Sequence, residues 1–160
     1  MNDAMMISSL VPSVKFDSTH ALGETFEDYR GQWLVVYFYP KDATPGCTTE
    51  GCDFRDTYPA FSKLNATVLG VSRDSLSSHE RFKMKHNFPF DLISDHNEIL
   101  CHLFDVIKLK SMYGKQVRGI ERSTFIIDPS GILRHEWRKV NVKGHVAEVA
   151  EILSSFKKEK

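Results

Sequence analysis

Trp33 to Tyr39 reads WLVVYFY, an unbroken run of aromatic and β-branched or aliphatic residues. Runs of this kind form strands buried on both faces, because neither alternate set of side chains is suited to water. Such a strand must lie inside a sheet with cover on each side, and helices packed on a mixed or parallel sheet supply that cover. The run is the longest apolar stretch in the chain, and it is far short of the ~20 residues that a membrane-crossing helix needs.

Alternation continues on either side of it. A helix is expected from near Pro45 to about Leu64, with Pro59 kinking or interrupting it. Thr67 to Ser72 (TVLGVS) reads as a second buried strand, and Ser75 to Asn87 as an amphipathic helix with Ser75 as N-cap. Phe90 to Ser94 is a short strand, and Asn97 to Val106 a helix. Ser123 to Ile127 and Ile132 to Trp137 form a hairpin around Asp128-Pro129-Ser130-Gly131. A last helix runs from His145 to Phe156. Strand–helix–strand–helix, then a hairpin and a helix, is an α/β order shared with the thioredoxin-like sandwich, a central mixed β-sheet flanked by helices. Linkers, repeats and low-complexity segments are absent, so residues 1–160 read as a single domain.

Composition limits function mainly by exclusion. Lys plus Arg equals Asp plus Glu, 21 against 21, so no broad cationic field draws the chain to nucleic acid or an anionic membrane. Three cysteines in 160 residues cannot make a disulfide scaffold of the secreted type. Met1 to Leu10 has Asp3 where a signal peptide would be basic, and its apolar content is too short. A cytoplasmic protein with reduced thiols is the expectation, its Lys157-Lys158-Glu159-Lys160 tail ending in solvent.

The segment after the buried strand is Pro40-Lys-Asp-Ala-Thr-Pro-Gly-Cys-Thr-Thr-Glu-Gly-Cys52. Pro45 suits the first helical position and Thr44 the N-cap, its hydroxyl expected to accept the N–H of Cys47. Cys47 then sits in the first turn, where unpaired N–H groups and the helix dipole favour a thiolate over a thiol. Gly46 leaves the sulfur accessible. Cys52 lies five residues on, about 140° round and about 7.5 Å along a regular helix. The Cα atoms are then about 8 to 9 Å apart, beyond the ~7 Å limit for a disulfide. Two outcomes remain open: independent thiols, or a disulfide that requires the first turns to unwind. The spacing is not that of a thioredoxin-type dithiol, and Cys101-His102 offers little to zinc, since adjacent helical residues diverge. Cys101, within an apolar helical stretch, reads as core.

Pro40-x-x-x-Thr44-x-x-Cys47 resembles the signature of the peroxiredoxins, cysteine-based peroxidases with a thioredoxin-like fold. The longer string YFYPKDATPGCTTEGCDFRD is similar to the Q-type subgroup, also called bacterioferritin comigratory proteins. The similarity continues through Tyr113-Gly114-Lys115, Gly119 to Asp128 and Lys139 to His145, covering roughly residues 30 to 157. The resemblance implies that Cys47 is the peroxidatic cysteine and that Thr44 hydrogen-bonds the thiolate and the incoming peroxide. Pro40 would shield the pocket, Arg122 would stabilise the thiolate and polarise the peroxide, and Glu50 would orient Arg122. Cys52 matches the resolving cysteine of one branch; the other branch places it near Lys83 and Met84, where this chain has none.

The activity implied is thiol-dependent reduction of hydrogen peroxide and organic hydroperoxides. Cys47 becomes a sulfenic acid, Cys52 condenses with it, and thioredoxin or a similar dithiol restores both thiols. A monomer that uses neither cofactor nor metal is expected. A non-enzymatic redox sensor or holdase using the same pair is the alternative, and a zinc-binding module a third. Phe38, Tyr39, Phe54 and Trp137 read as core or pocket wall, and the histidines as surface or satisfied residues, His145 among them.

Overall fold

The WLVVYFY run is the centre of the molecule. In the computed structural model, which describes residues 6–158, Trp33–Phe38 forms β2, and each of its residues is buried. The short β1 (Asp17–Ser18) and a 3-10 helix (Phe26–Tyr29) precede it, and α1 (Pro45–Lys63) follows. Next come β3 (Ala66–Ser72), α2 (Leu76–His86), β4 (Asp91–Ser94), α3 (Ile99–Leu103), β5 (Ile107–Met112) and β6 (Lys115–Ile120). The chain closes with β7 (Ser123–Ile127), β8 (Leu133–Trp137) and α4 (His145–Lys158). Met1 to Met5, and Glu159 and Lys160 of the charged tail, lie outside the described residues.

The main sheet has the order β1-β4-β3-β2-β7-β8. β2 runs parallel to β3 and antiparallel to β7, so the sheet is mixed. Side chains of β2 alternate between two cores, as the double burial required. Trp33, Val35, Tyr37 and the following Tyr39 meet Phe54 and Phe61 of α1, Phe82 of α2 and Val149 and Leu153 of α4. Leu34, Val36 and Phe38 meet Leu100 and Cys101 of α3 with Phe104 and Phe125.

Three local expectations are corrected. Pro59 does not end α1, which continues to Lys63; only the carbonyl of Arg55 loses its intrahelical donor, and the turns on either side carry the helix through. The helix expected from Asn97 to Val106 is only Ile99–Leu103. Glu98 and Asp105 take φ of +61° and +54°, which bars helical continuation at both ends. Between that helix and β7 lies an unanticipated hairpin, β5–β6, turned by Tyr113 and Gly114, both at positive φ as a two-residue type I′ turn requires. The hairpin at Asp128–Gly131 forms as expected, with Asp128 Oδ1 accepting the N–H groups of Ser130 and Ile132. Ser75 Oγ accepts the N–H of Ser78 and so caps α2.

Candidate active site

The site assembles where β2 ends and α1 begins. Because Phe38 pairs with Ser123 across the antiparallel β2–β7 ladder, Arg122 is delivered beside that end, just ahead of β7. Cys47 is the third residue of α1, as expected, and only 2% exposed. Arg122 Nη2 lies 3.4 Å from Cys47 Sγ, and its Nη1 donates to Glu50 Oε1 at 2.6 Å. Cys47 and Glu50 are three apart on one helix, hence on one face, and a single guanidinium spans both.

Glycines leave room for this packing. A Cβ on Gly46 would stand 3.2 Å from Arg122 Nη2, against the group that reaches the sulfur. A Cβ on Gly51 would stand 2.5 Å from the Phe88 ring, so α1 seats against that ring only with glycine there.

Glu50 is wholly buried, and its second oxygen, Oε2, has no hydrogen-bond partner. Burial pushes its carboxyl up to about 7, although the cation of Arg122 pulls the other way. Near neutral pH the proton on Glu50 therefore decides how firmly Arg122 is held beside Cys47.

Thr44 occupies the N-cap position, but its hydroxyl does not cap. It donates to the carbonyl of Lys41 at 2.9 Å, closing the loop as a turn. The loop carries Ala43 at φ +65°, which turns the chain so that the hydroxyl meets a carbonyl three residues back. The first-turn N–H groups of α1 consequently remain uncapped by a side chain, which keeps the positive end of the helix open towards the sulfur. Pro40 is half-buried at the start of this loop.

Cys52 sits on the unbroken helix, half-buried, with its Sγ 3.9 Å from His86 Nδ1. All three cysteines are free thiols. The structure therefore brings Cys47, Glu50 and Arg122 into contact, sets Pro40 and Thr44 in the adjoining loop, and leaves Cys52 on a different face of α1. Cys101 is 0% exposed in the core beneath the sheet, whereas the neighbouring His102 side chain is 64% exposed, so the two diverge.

Some neighbours carried no signal in the sequence. Lys110 of β5 interacts electrostatically with Cys47 and Arg122, and burial and Arg122 hold its ammonium below the ordinary lysine range. Tyr37 interacts likewise with Glu50 and Cys47 from beneath, its ring stacked on Phe54 at 4.5 Å. Asp42 and His79 form a buried pair behind the loop. Lys110 lies on the hairpin that the sequence reading missed, and the others look like ordinary core or surface residues until the chain folds.

The chain is similar to known proteins along most of its length. The model of the AhpC/TSA family matches residues 7–136. Peroxiredoxin Bcp of Bacillus subtilis is 50% identical over 150 residues, covering 94% of this chain and 96% of its own. Peroxiredoxin Bcp of Xanthomonas campestris is 50% identical over 163 residues, covering 99% and 100%. A solved structure of peroxiredoxin Q from the same organism superposes with a TM-score of 0.88 at 49% identity, over 98% of this chain and 99% of that one. A structure of the X. campestris bacterioferritin comigratory protein, described in connection with its alkyl peroxide reduction activity, gives 0.86 at 51% identity over 91% and 92%.

Proposed function

The chain belongs to the AhpC/TSA family, within the Bcp or Q-type peroxiredoxins, and is a thiol-dependent peroxidase; from that membership we propose that Cys47 is its nucleophile and Cys52 its resolver. The observation that carries the proposal is the guanidinium of Arg122 set between Cys47 Sγ and Glu50 at the open end of α1.

The sulfur attacks the nearer oxygen of a hydroperoxide. A sulfur–oxygen bond forms, the oxygen–oxygen bond breaks, and hydroxide or alkoxide leaves to be protonated as water or alcohol. Negative charge develops on the leaving oxygen, and stabilising it is the part of the work a protein does best. Arg122 offers a fixed cation with a planar fork of donors. The uncapped N–H groups of α1 provide the remaining donors, and the loop with Pro40 and Thr44 provides the wall that excludes water. Both hydrogen peroxide and organic hydroperoxides fit this chemistry, since only the oxygen–oxygen bond is attacked.

The product is a Cys47 sulfenic acid. Cys52 condenses with it, losing water and leaving a disulfide. Sulfurs five residues apart cannot meet on a regular helix, so the turns of α1 from Pro45 to Cys52 open at this step. An external dithiol such as thioredoxin then returns both thiols by exchange. We assign the protein to the cytoplasm as a monomer; among the described residues no helix is long and apolar enough to cross a membrane.

The test is peroxide consumption coupled to thioredoxin and its reductase. Wild type turns over many equivalents, Cys47→Ser none, and Cys52→Ser at most one before stalling. Undiminished turnover by Cys47→Ser defeats the assignment, and a wild type that stops after one equivalent indicates a sensor instead.

A further inference from the structure

The loop between β2 and α1 contains a buried polar cluster that the reaction just described does not use. Asp42 is 7% exposed, and its carboxylate is fully engaged. Tyr39 Oη donates to Oδ1 at 2.6 Å, Ser78 Oγ donates to Oδ2 at 2.8 Å, and His79 Nδ1 lies 2.7 Å from Oδ2. His79 is 0% exposed, and its Nε2 lies 2.9 Å from the carbonyl of Ile93. Each ring nitrogen thus has an oxygen within hydrogen-bond distance, so the ring is held at both ends. The backbone N–H of Asp42 donates to Asp74 Oδ2, which also takes the hydroxyl of Ser72. One loop residue is in this way tied to the ends of β2 and β3, to α2, and through His79 to β4.

Stability alone is a poor reason for this cluster. Burying polar and ionisable groups costs desolvation that their mutual hydrogen bonds barely repay, and apolar residues of the same volume often do as well. What the pair does supply is position. The next residue, Ala43, has φ +65°, a conformation a non-glycine residue keeps only when its surroundings enforce it. Thr44 follows directly, then the turn that carries Cys47.

We propose that Asp42 and His79 are positioning residues for the peroxidase reaction, clamping the Pro40–Thr44 loop so that the Cys47 sulfur and its donors meet a hydroperoxide in a fixed geometry. The proposal rests on Cys47 being the nucleophile. The clamp also fixes the upstream end of the segment that opens when Cys52 reacts, so unwinding begins after Thr44 and leaves the loop in place.

Two rates measured on Cys47 separate positioning from mere folding: oxidation by hydrogen peroxide, which needs aligned donors, and alkylation by iodoacetamide, which needs only a reactive thiolate. In folded His79→Gln, peroxide oxidation is expected to fall about tenfold or more, while alkylation stays within about twofold. An unchanged peroxide rate, or two rates that fall together, overturns the proposal. Should His79→Gln fail to fold, Ser78→Ala decides: it removes one hydrogen bond to Asp42, and the same selective loss, about threefold, supports the clamp. An unchanged ratio overturns it. A wild-type Cys47 that peroxide does not oxidise defeats the peroxidase reading itself, and the clamp with it.

Discussion

Cys47 and Cys101 are both sealed from solvent, at 2% and 0% exposure, and both lie near the start of a helix, yet their surroundings point in opposite directions. At Cys47 the nearest charged group is the Arg122 cation, and no side chain caps the helix end. At Cys101 the start of α3 is already taken, because Asp95 accepts the N–H groups of Leu100 and Cys101 through its two carboxylate oxygens. Burial and that carboxylate push the Cys101 thiol far above the ordinary range. On the proposed assignment, the two cysteines are separated not by burial but by the sign of the neighbouring charge and by whether the helix end is free.

Removing the cation should erase the difference. Arg122→Met is expected to slow Cys47 oxidation by about 10²–10³-fold, as loss of a main charge-stabilising donor does elsewhere. Stopped-flow rates with hydrogen peroxide check this, and a loss below about threefold would show that the helix end alone sustains the chemistry.

The same cation repels a proton on a neighbouring imidazole. Burial lowers His145 to about 4 against the pull of Glu148, with Arg122 adding a smaller push in the same direction as burial, and the imidazole Nε2 bonds to the Thr124 hydroxyl at 2.8 Å. A histidine held below its unfolded value of 6.5 takes protons mainly in the unfolded chain as pH falls. Its contribution is complete above 6.5, is lost between 6.5 and about 4, and is flat below that. Full loss amounts to roughly 3 kcal/mol, about a hundredfold in the folding equilibrium. Across this range the urea-unfolding stability of wild type should rise with pH by about that amount relative to His145→Gln, whatever the other groups contribute.

Glu50 adjusts the cation more finely. With its carboxyl raised to about 7, the charged form that grips Arg122 prevails only above that pH. Glu50→Gln should match wild type near pH 6 and fall behind by about tenfold near pH 8, the gap between a charged and a neutral hydrogen bond. A constant deficit across the pH–rate profile would break this account. In stability the sign runs opposite to that of His145: a raised carboxyl favours the fold while protonated, and that gain is lost as pH rises from 4.5 through 7. The smallest effect belongs to the other cysteine. Cys101→Ala should leave peroxide turnover within about twofold while costing about 1 kcal/mol in urea unfolding, because packing and a weak thiol hydrogen bond to Asp95 are removed.

Features carried by local chemistry were readable in the sequence: the doubly buried β2, the Asp128–Gly131 turn, the Ser75 cap and the placement of Cys47 in the first turn of α1. Features set by distant partners were not. The β5–β6 hairpin is exposed along most of its length, with Lys108 and Lys110 alternating with Ile107 and Leu109, so it makes no long apolar run. α3 is cut short by backbone conformations at Glu98 and Asp105 that neither residue type announces. The Thr44 hydroxyl turned to Lys41 because the strained loop brought that carbonyl within reach. Arg122 and Glu50 were selected by family resemblance, since 72 positions separate them and no local rule pairs them. The Asp42–His79 clamp joins residues 37 positions apart, each unremarkable alone.

The central claim is that one buried thiol attacks peroxide, a second on the same helix resolves it, and the third takes no part. Peptide mapping by mass spectrometry, after one equivalent of hydrogen peroxide and rapid alkylation, tests it most directly. The account predicts a Cys47–Cys52 disulfide within one chain and a Cys101 thiol still reduced; Cys101 in the bond, or a crosslink between chains as the main product, would contradict it.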